Sequence, residues 1–149
     1  KPTGISLLRI LEDEIMAVVG FNFTKIIGEK TGEPTKKLSI DRSVNMQSVE
    51  ETQLTVSTQK QDAIIVTFVY AVTYTGLGKV ELQGNLLYMA PEEKLKDAVA
   101  HWKKNSTLPV DVMNPVLHSV FTRCNIQALI MSRDLALPPP FALPSPRVK

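Results

Sequence analysis

Residues 64–74 read Ile-Ile-Val-Thr-Phe-Val-Tyr-Ala-Val-Thr-Tyr, and this stretch decides the fold. Every second residue from Ile64 to Tyr74 is a bulky apolar or aromatic one, and the residues between them are a mixture of apolar and hydroxyl types. Because successive side chains of a strand point to opposite faces, one face of this strand is apolar throughout and the other is half apolar. The stretch therefore predicts a central strand that is covered on both faces to different degrees.

The next residues along the chain predict an antiparallel partner for this strand. Gly76 and Gly78 supply the glycines that a tight hairpin needs, and apolar residues then alternate with polar ones from Val80 to Tyr88. Gly84 interrupts this alternation on its apolar side. A glycine in that position indicates a bulge or the close approach of another backbone.

The residues that precede the central strand are harder to assign. Residues 38–47 alternate between apolar and polar, with Arg42 alone breaking the apolar side, and predict a strand followed by a polar connection through residues 50–60. Periodicity does not decide between a helix and a strand near the N-terminus; we favour a strand from about residue 15 to residue 28. A loop over residues 28–37 is predicted from its glycines, proline and lysines.

Two helices are predicted after the sheet. Pro91 opens the first, whose apolar stripe consists of Leu95, Val99 and Trp102 and whose exposed face is basic. Asn114-Pro115 predicts the cap and first position of a longer second helix, although a start near Asp111 with Pro115 inside the first turn fits the same residues. The predicted buried seam of this helix consists of Met113, Leu117, Phe121, Cys124, Ala128 and Met131.

The domain organisation follows from length and proline content. A chain of 149 residues that is 44% hydrophobic suits one compact domain. We assign residues 1–134 to a single α+β domain, in which residues 1–37 hold a poorly assigned N-terminal element and a loop. Residues 135–149 form an extended, proline-rich C-terminal tail. Because the tail also contains apolar residues, we expect it to lie along the domain or along a partner.

Composition argues against metal, redox and catalytic chemistry. The chain has 1 cysteine and 2 histidines, too few for an ordinary Cys/His zinc site, and Cys124 has no cysteine with which to form an intramolecular disulfide. His118 and Cys124 lie six residues apart on a predicted helix, so they do not face each other. We therefore expect no enzyme activity, no cofactor and no metal, and a reducing cytoplasm as the location.

Charge patterning argues against nucleic acid and membrane. The net charge is only +2, and the paired lysines lack the interleaved aromatics that stack on bases. The apolar stretch over residues 5–23 contains Arg9 and the acidic residues 12–14, so we expect it neither to span nor to target a membrane.

Several packing and turn signals resemble those of the SecB family of export chaperones. They are the tract Gly84-Asn-Leu-Leu-Tyr88, the helix start at Asn114-Pro115 and the helix middle Phe121-Thr-Arg-Cys124. The last of these signals is the proline-rich C-terminal segment that begins Leu135-Ala-Leu-Pro-Pro-Pro-Phe. The segment Cys124-Asn-Ile-Gln-Ala-Leu-Ile-Met and this C-terminal segment also resemble those of small uncharacterised archaeal proteins of the same superfamily. The resemblance covers about residues 38–147.

The resemblance implies an α+β protomer with an antiparallel four-stranded meander and two helices packed on one face. It further implies a homo-oligomer, a dimer or a tetramer, without catalytic residues. SecB-like proteins hold unfolded polypeptides in apolar grooves, some for delivery to a secretion motor and some as partners of toxin-antitoxin pairs. The basic first helix of this chain departs from the acidic motor-docking surface of bacterial members, which weighs against delivery to that motor.

The leading functional hypothesis is a non-catalytic holdase that binds extended apolar segments of unfolded or nascent polypeptides. Its predicted contacts are Ile65, Val69, Leu87 and Met89 on the second sheet face, together with Phe141 and Leu143 in the tail. The same sheet residues also suit a self-association surface, and the tail residues suit docking on their own domain. An interaction or scaffold subunit with one specific partner (a toxin, a translocation component or the ribosome) is the alternative, and a small-ligand enzyme is a third reading.

Overall fold

The computed structural model describes residues 17–33 and 38–141. Four strands are followed by two helices: β1 (Ala17–Lys30), β2 (Ile40–Val56), β3 (Gln59–Tyr74), β4 (Gly78–Met89), α1 (Glu92–Asn105) and α2 (Val110–Asp134). The strands form one antiparallel sheet in the order β1-β4-β3-β2. The predicted four-stranded α+β architecture, with residues 64–74 in a central strand, is confirmed.

One face of the sheet, here called the covered face, packs against both helices. Its side chains on β3 and β4 are at most 1% exposed: Ile64, Val66, Phe68, Tyr70, Val72, Tyr74, Val80, Leu82, Leu86 and Tyr88. They form a single core with Leu95, Ala98 and Val99 of α1 and with the buried side of α2. Burial of this apolar area supplies the main favourable contribution to folding.

Gly84 lies on the covered face, where β1 and β4 approach closely. A Cβ atom at this position would collide with the carbonyl oxygen of Asn22 and would lie 3.0 Å from a ring carbon of Phe68. The space is taken instead by aromatic rings, since Phe21 lies 5.1 Å from the Phe68 centroid and 5.2 Å from the Phe23 centroid. The predicted close approach at Gly84 is confirmed, and β4 itself runs without a register shift against β3.

The predicted polar connection through residues 50–60 is wrong, because β2 continues to Val56. One extra residue, Gln47, is inserted against β3 between the pairs Met46–Phe68 and Ser48–Thr67. Such a bulge shifts the alternation by one position, so Val49 joins the covered face although the apolar residues before the bulge have even numbers. The alternation that identified the strand is therefore broken in its middle.

The edge strand β1 shows the same irregularity twice. Val19 and Thr24 are extra residues relative to β4, and β1 extends to Lys30 where a loop from residue 28 was predicted. After the bulge at Thr24 the alternation changes parity, so Ile26 faces the same side as Phe21. The end of this strand is held by its register with β4, since Lys30 pairs with Gly78.

The first helix matches its prediction, and the second begins earlier than expected. Pro91 precedes α1, whereas α2 starts after Pro109 and carries Pro115 inside the helix, close to the alternative start near Asp111. The buried residues of α2 are Val112, Val116, Val120, Cys124, Ala128 and Ser132. Spacing of four residues advances the buried line by about 40° per step, so it winds around the helix. The predicted seam is wrong at Phe121, which is 38% exposed.

Candidate polypeptide-binding surface

The opposite side of the sheet, here called the outer face, carries no described helix. Both helices contact the covered face: Leu95 and Val99 of α1 belong to its core, and the Tyr70 hydroxyl donates to Asn125 Oδ1 of α2 at 2.7 Å. The outer face shows the odd-numbered side chains of β3 and β4, most of them half-buried. Four of the residues predicted to bind polypeptide, Ile65, Val69, Leu87 and Met89, lie on this face.

Three of those four residues are brought together by the register of β3 and β4. Ile65 pairs directly with Leu87, and Met89 pairs with Ala63 one step further along the same face. Direct cross-strand neighbours on one face have Cβ atoms about 5 Å apart, so these side chains form one apolar block. The block lies at the end of the sheet where β4 leads toward α1.

Val69 is separated from this block by a polar row. Thr67 and Asn85 pair with each other between them, and Val69 itself pairs with Gln83. Since four residues of a strand span about 13 Å, Val69 does not touch Ile65. On the two central strands, the large apolar side chains of the outer face are therefore a compact block and one isolated valine. The edge strands add Leu54, which pairs with Gln61, and Ile27, which pairs with Glu81.

Two strands flank the block. β2 borders it with polar side chains, and the backbone of β1 packs closely against it. Glu50 and Thr52 of β2 face Ile65 and Ala63, so an acidic and a hydroxyl side chain border the block. On the other side, Gly20 of β1 pairs with Leu87 and lies so close that a Cβ atom there would be 3.2 Å from the Leu87 side chain. An apolar block with a polar rim suits recognition of an extended apolar segment, because the rim excludes water and the block contributes burial.

Phe141 lies on the other side of the molecule. The Arg42 guanidinium carbon lies 5.5 Å from the Phe141 ring centroid, and Arg42 pairs with Val72, a covered-face residue. The structure therefore does not bring Phe141 together with the outer face. Leu143, the other predicted tail residue, lies outside the described residues.

The segment after α2, here called the strap (residues 135–141), runs from α2 toward β2. Leu137 is 6% exposed and Pro140 is buried, while Phe141 is half-buried against Arg42. The start of the strap lies beside β1, because a Cβ atom at Gly28 would meet the Leu135 and Met131 side chains. Sequence reasoning left open whether the tail lies on its own domain or on a partner; these contacts place the described part on its own domain.

Sequence reasoning missed the residues that hold the strap. Ser132, whose carbonyl oxygen accepts from the Leu137 N–H, and Arg42, which lies against the Phe141 ring, were not among the predicted contacts. Arg42 was noted only as the one residue that breaks an apolar alternation. Burial raises the pKa of Tyr70, and the nearby Arg42 guanidinium offsets part of the rise. A lone cation on the apolar side of a strand was the available signal, since such a charge needs a partner that the sequence does not identify.

The histidines, the cysteine and the carboxylates of the described residues show no metal-binding cluster. No cluster of three or more His, Cys, Asp or Glu side chains with metal-binding geometry occurs among residues 17–33 and 38–141. The ring nitrogen Nδ1 of His101 lies 2.7 Å from the Thr107 carbonyl oxygen, and His118 is exposed on α2. Burial raises the pKa of the Cys124 thiol to about 12, which leaves it protonated and unreactive near neutral pH.

A separate cleft of about 390 Å³ lies between the β2-β3 hairpin and the start of α1. Glu51, Asp62 and Glu92 line it together with Lys96. Lys96 already pairs with Glu92 at 2.8 Å, and this contact lowers the pKa of Glu92 and raises that of Lys96.

Within the described part of the chain, no helix combines the length and apolarity needed to cross a membrane.

Comparison with known proteins identifies the fold. No family model matches the chain, and no curated protein matches it in sequence. Among solved structures, the fold is similar to that of a SecB-like chaperone from Mycobacterium tuberculosis, solved in complex with a ChAD peptide from the HigA1 antitoxin. The TM-score is 0.57 at 12% identity, over 95% of this chain and 99% of that chain. The chain therefore has a SecB-like fold, as its turn and packing signals indicated.

Proposed function

We propose that this chain is a non-catalytic holdase that binds extended apolar polypeptide segments on its outer face. The observation that carries the proposal is the apolar block of Ile65, Leu87 and Met89 on the face opposite the one that both helices cover. A fold shared with a peptide-binding SecB-like chaperone supports the same reading. Such a protein binds the unfolded state of its client and competes with aggregation by mass action.

A second copy of the chain also fits the apolar side chains of the outer face. We propose a homo-oligomer, a dimer or a tetramer, that works in the cytoplasm without a cofactor, metal or nucleic acid. Unfolded and nascent polypeptides are then bound by the outer face, with Val69 as a secondary contact beyond the polar row. Light scattering at several protein concentrations measures the oligomer, and a strict monomer at all concentrations would contradict that part of the proposal.

Suppression of aggregation tests the holdase. A chemically unfolded client is diluted into buffer with the chain or with the double variant Ile65→Ser and Leu87→Ser, and light scattering is followed. Because the double variant loses the apolar block, we expect it to need about tenfold more protein for the same suppression. The matched control is Ile126→Ser, which removes a 57% exposed apolar side chain from α2. Equal protection by both variants would remove the outer face as the binding surface.

A chaperone dedicated to one protein is the second candidate. It is favoured by the similar structure, whose bound ligand is a peptide from one specific antitoxin. In that case the chain would bind one partner stoichiometrically and protect unrelated clients poorly. Aggregation assays with several unrelated clients separate the two: broad protection favours the general holdase, and protection of none favours a dedicated partner such as an antitoxin, a translocation component or the ribosome.

A further inference from the structure

The strap begins with a strained reversal at the end of α2. The Leu137 N–H donates to the Ser132 carbonyl oxygen at 2.7 Å and the Ala136 N–H to the Arg133 carbonyl oxygen at 3.1 Å, which is the Schellman pattern of a helix end. Ala136 occupies the left-handed position at φ 54°, where glycine is the usual residue. A helix end that uses alanine there is held by the packing of the next residues, because the backbone conformation itself is unfavourable.

Beyond Leu137, the strap is held by side chains. Leu137 supplies its one N–H to α2, and residues 138–140 are prolines, which have no N–H to donate. The anchors are the buried Leu137 and Pro140 and the Phe141 ring beside the Arg42 guanidinium. Spaced apolar anchors on a stiff proline segment are how proline-rich peptides dock in the grooves of binding domains.

The surface on which the strap lies, here called the groove, extends from the end of α2 to Arg42 of β2, and the strap does not fill it. An open cleft of about 330 Å³ remains beside the strap, lined by Leu129, Ile130 and Arg133 of α2 and by Leu137 and Pro139 of the strap itself. Ile130 is 38% exposed at its edge. The strap therefore borders open space and an apolar wall at Leu137 and Pro139, and further along it places the Phe141 ring against the Arg42 cation.

We infer that this groove is an exchangeable binding site for extended, proline-containing peptide segments that end in an aromatic residue, and that the strap occupies it as an internal ligand. This site lies on the covered side of β2, apart from the outer face, and it does not depend on the holdase activity proposed above. A peptide in trans must displace the strap, so its apparent affinity for the intact chain is reduced by the fraction of time that the groove is free.

Peptide titration into the full chain tests the inference. A fluorescein-labelled peptide with the sequence of residues 135–141, which ends in phenylalanine, is titrated, by anisotropy, into the wild-type chain and into Phe141→Ala. Loss of the anchoring ring releases the strap, so we expect the variant to bind the peptide about tenfold tighter than the wild type. Adding Arg42→Gln to this variant is expected to weaken binding about tenfold, because the peptide's own phenylalanine then loses its cation.

The matched control is Arg123→Gln, which removes the other arginine that lies against a phenylalanine ring. In the Phe141→Ala background it is expected to leave the peptide affinity unchanged. A peptide in which Phe141 is replaced by Ala is expected to bind at least tenfold more weakly to every variant. Circular dichroism melts confirm that each variant is folded, and Phe141→Leu replaces Phe141→Ala if the latter unfolds.

Two outcomes would overturn the inference. One is equal peptide affinity for the wild type and the released variant. The other is an affinity that does not change with Arg42. The aggregation assay uses outer-face variants and this titration uses strap variants. A negative result for the holdase therefore does not affect the test of the groove, and a negative result for the groove does not affect the test of the holdase.

Discussion

Leu86 and Leu87 are neighbours on β4, yet they belong to different environments. Leu86 is 0% exposed in the core under α2, and Leu87 is half-buried on the outer face beside Ile65. The same contrast runs along β3, whose even-numbered residues from Ile64 to Tyr74 are buried and whose odd-numbered ones between them are a mixture of apolar and hydroxyl types. The difference separates two tasks: the covered face holds the protomer together, and the outer face keeps apolar side chains that the protomer does not use for its own core.

The largest expected effect comes from truncating these two leucines. Leu86→Ala is expected to lower the free energy of unfolding by about 2–5 kcal/mol, because it leaves a cavity in a packed core. Leu87→Ala is expected to lower it by less than about 1 kcal/mol, because its side chain is already partly in water. Urea denaturation followed by circular dichroism measures both. Equal losses would show that the outer face is packed as tightly as the covered one.

Two glycines sharpen the comparison at β1. Gly84→Ala on the covered face is expected to cost about 1–3 kcal/mol, because the added methyl group meets the Asn22 backbone and the Phe68 ring. Gly20→Ala on the outer face meets only the flexible Leu87 side chain, so we expect a change of less than about 1 kcal/mol in either direction. Thermal melts of the two variants provide the measurement, and a larger loss from Gly20→Ala would reverse the comparison.

The buried thiol on the covered side predicts a loss of stability at alkaline pH. Burial raises the pKa of Cys124 from 9.0 to about 12, so above pH 9 the unfolded chain releases a proton that the folded chain retains. The stabilisation is present below pH 9 and is lost as the pH rises toward 12, about 1 kcal/mol of it by pH 10. Comparing urea unfolding of the wild type and Cys124→Ala at pH 8 and pH 10 isolates this contribution. Parallel declines in both proteins would exclude it.

The smallest effects concern two tyrosine hydroxyls on the covered face. Tyr70→Phe is expected to cost about 1 kcal/mol, because it breaks the 2.7 Å bond to Asn125. Tyr74→Phe is expected to be neutral or slightly stabilising, since the Tyr74 hydroxyl is buried without a partner and the Ser132 hydroxyl donates to the Leu129 carbonyl oxygen instead. Chemical denaturation of both variants under one condition tests the order, and a costly Tyr74→Phe would mean that its hydroxyl is satisfied in solution.

The sheet and its faces were predictable from sequence because β3 and β4 keep strict alternation. Each residue from Ile64 to Tyr74 lies on the face that the pattern assigns, and the hairpin glycines fall in the turn before β4. The edge strands were not predictable to their ends. Each bulge moves later residues to the other face of the sheet. Because the alternation is broken at Gln47, Glu50 and Glu51 were predicted to lie in a polar connection, although they continue β2.

The outer-face part of the candidate site was predictable, and the strap groove was not. Alternation alone places Ile65 and Leu87 on the second face, but only the register shows that they pair and that Val69 stands apart. The contact between Arg42 and Phe141 joins residues that are far apart in the chain, and no local pattern identifies such a pair. Likewise, the winding of the buried line on α2 depends on which elements cover each end of the helix, and local spacing does not show them.

The irregular residues Val19, Thr24 and Gln47 all lie in the two outermost strands, and the central pair has none. A foreign strand that approaches either border therefore meets at least one break in the regular spacing of the backbone amides. A protein with apolar side chains in contact with water and free sheet edges is prone to form fibrils by adding strands at those edges. Here bulges interrupt both edge strands, which disfavours the addition of further strands at either edge.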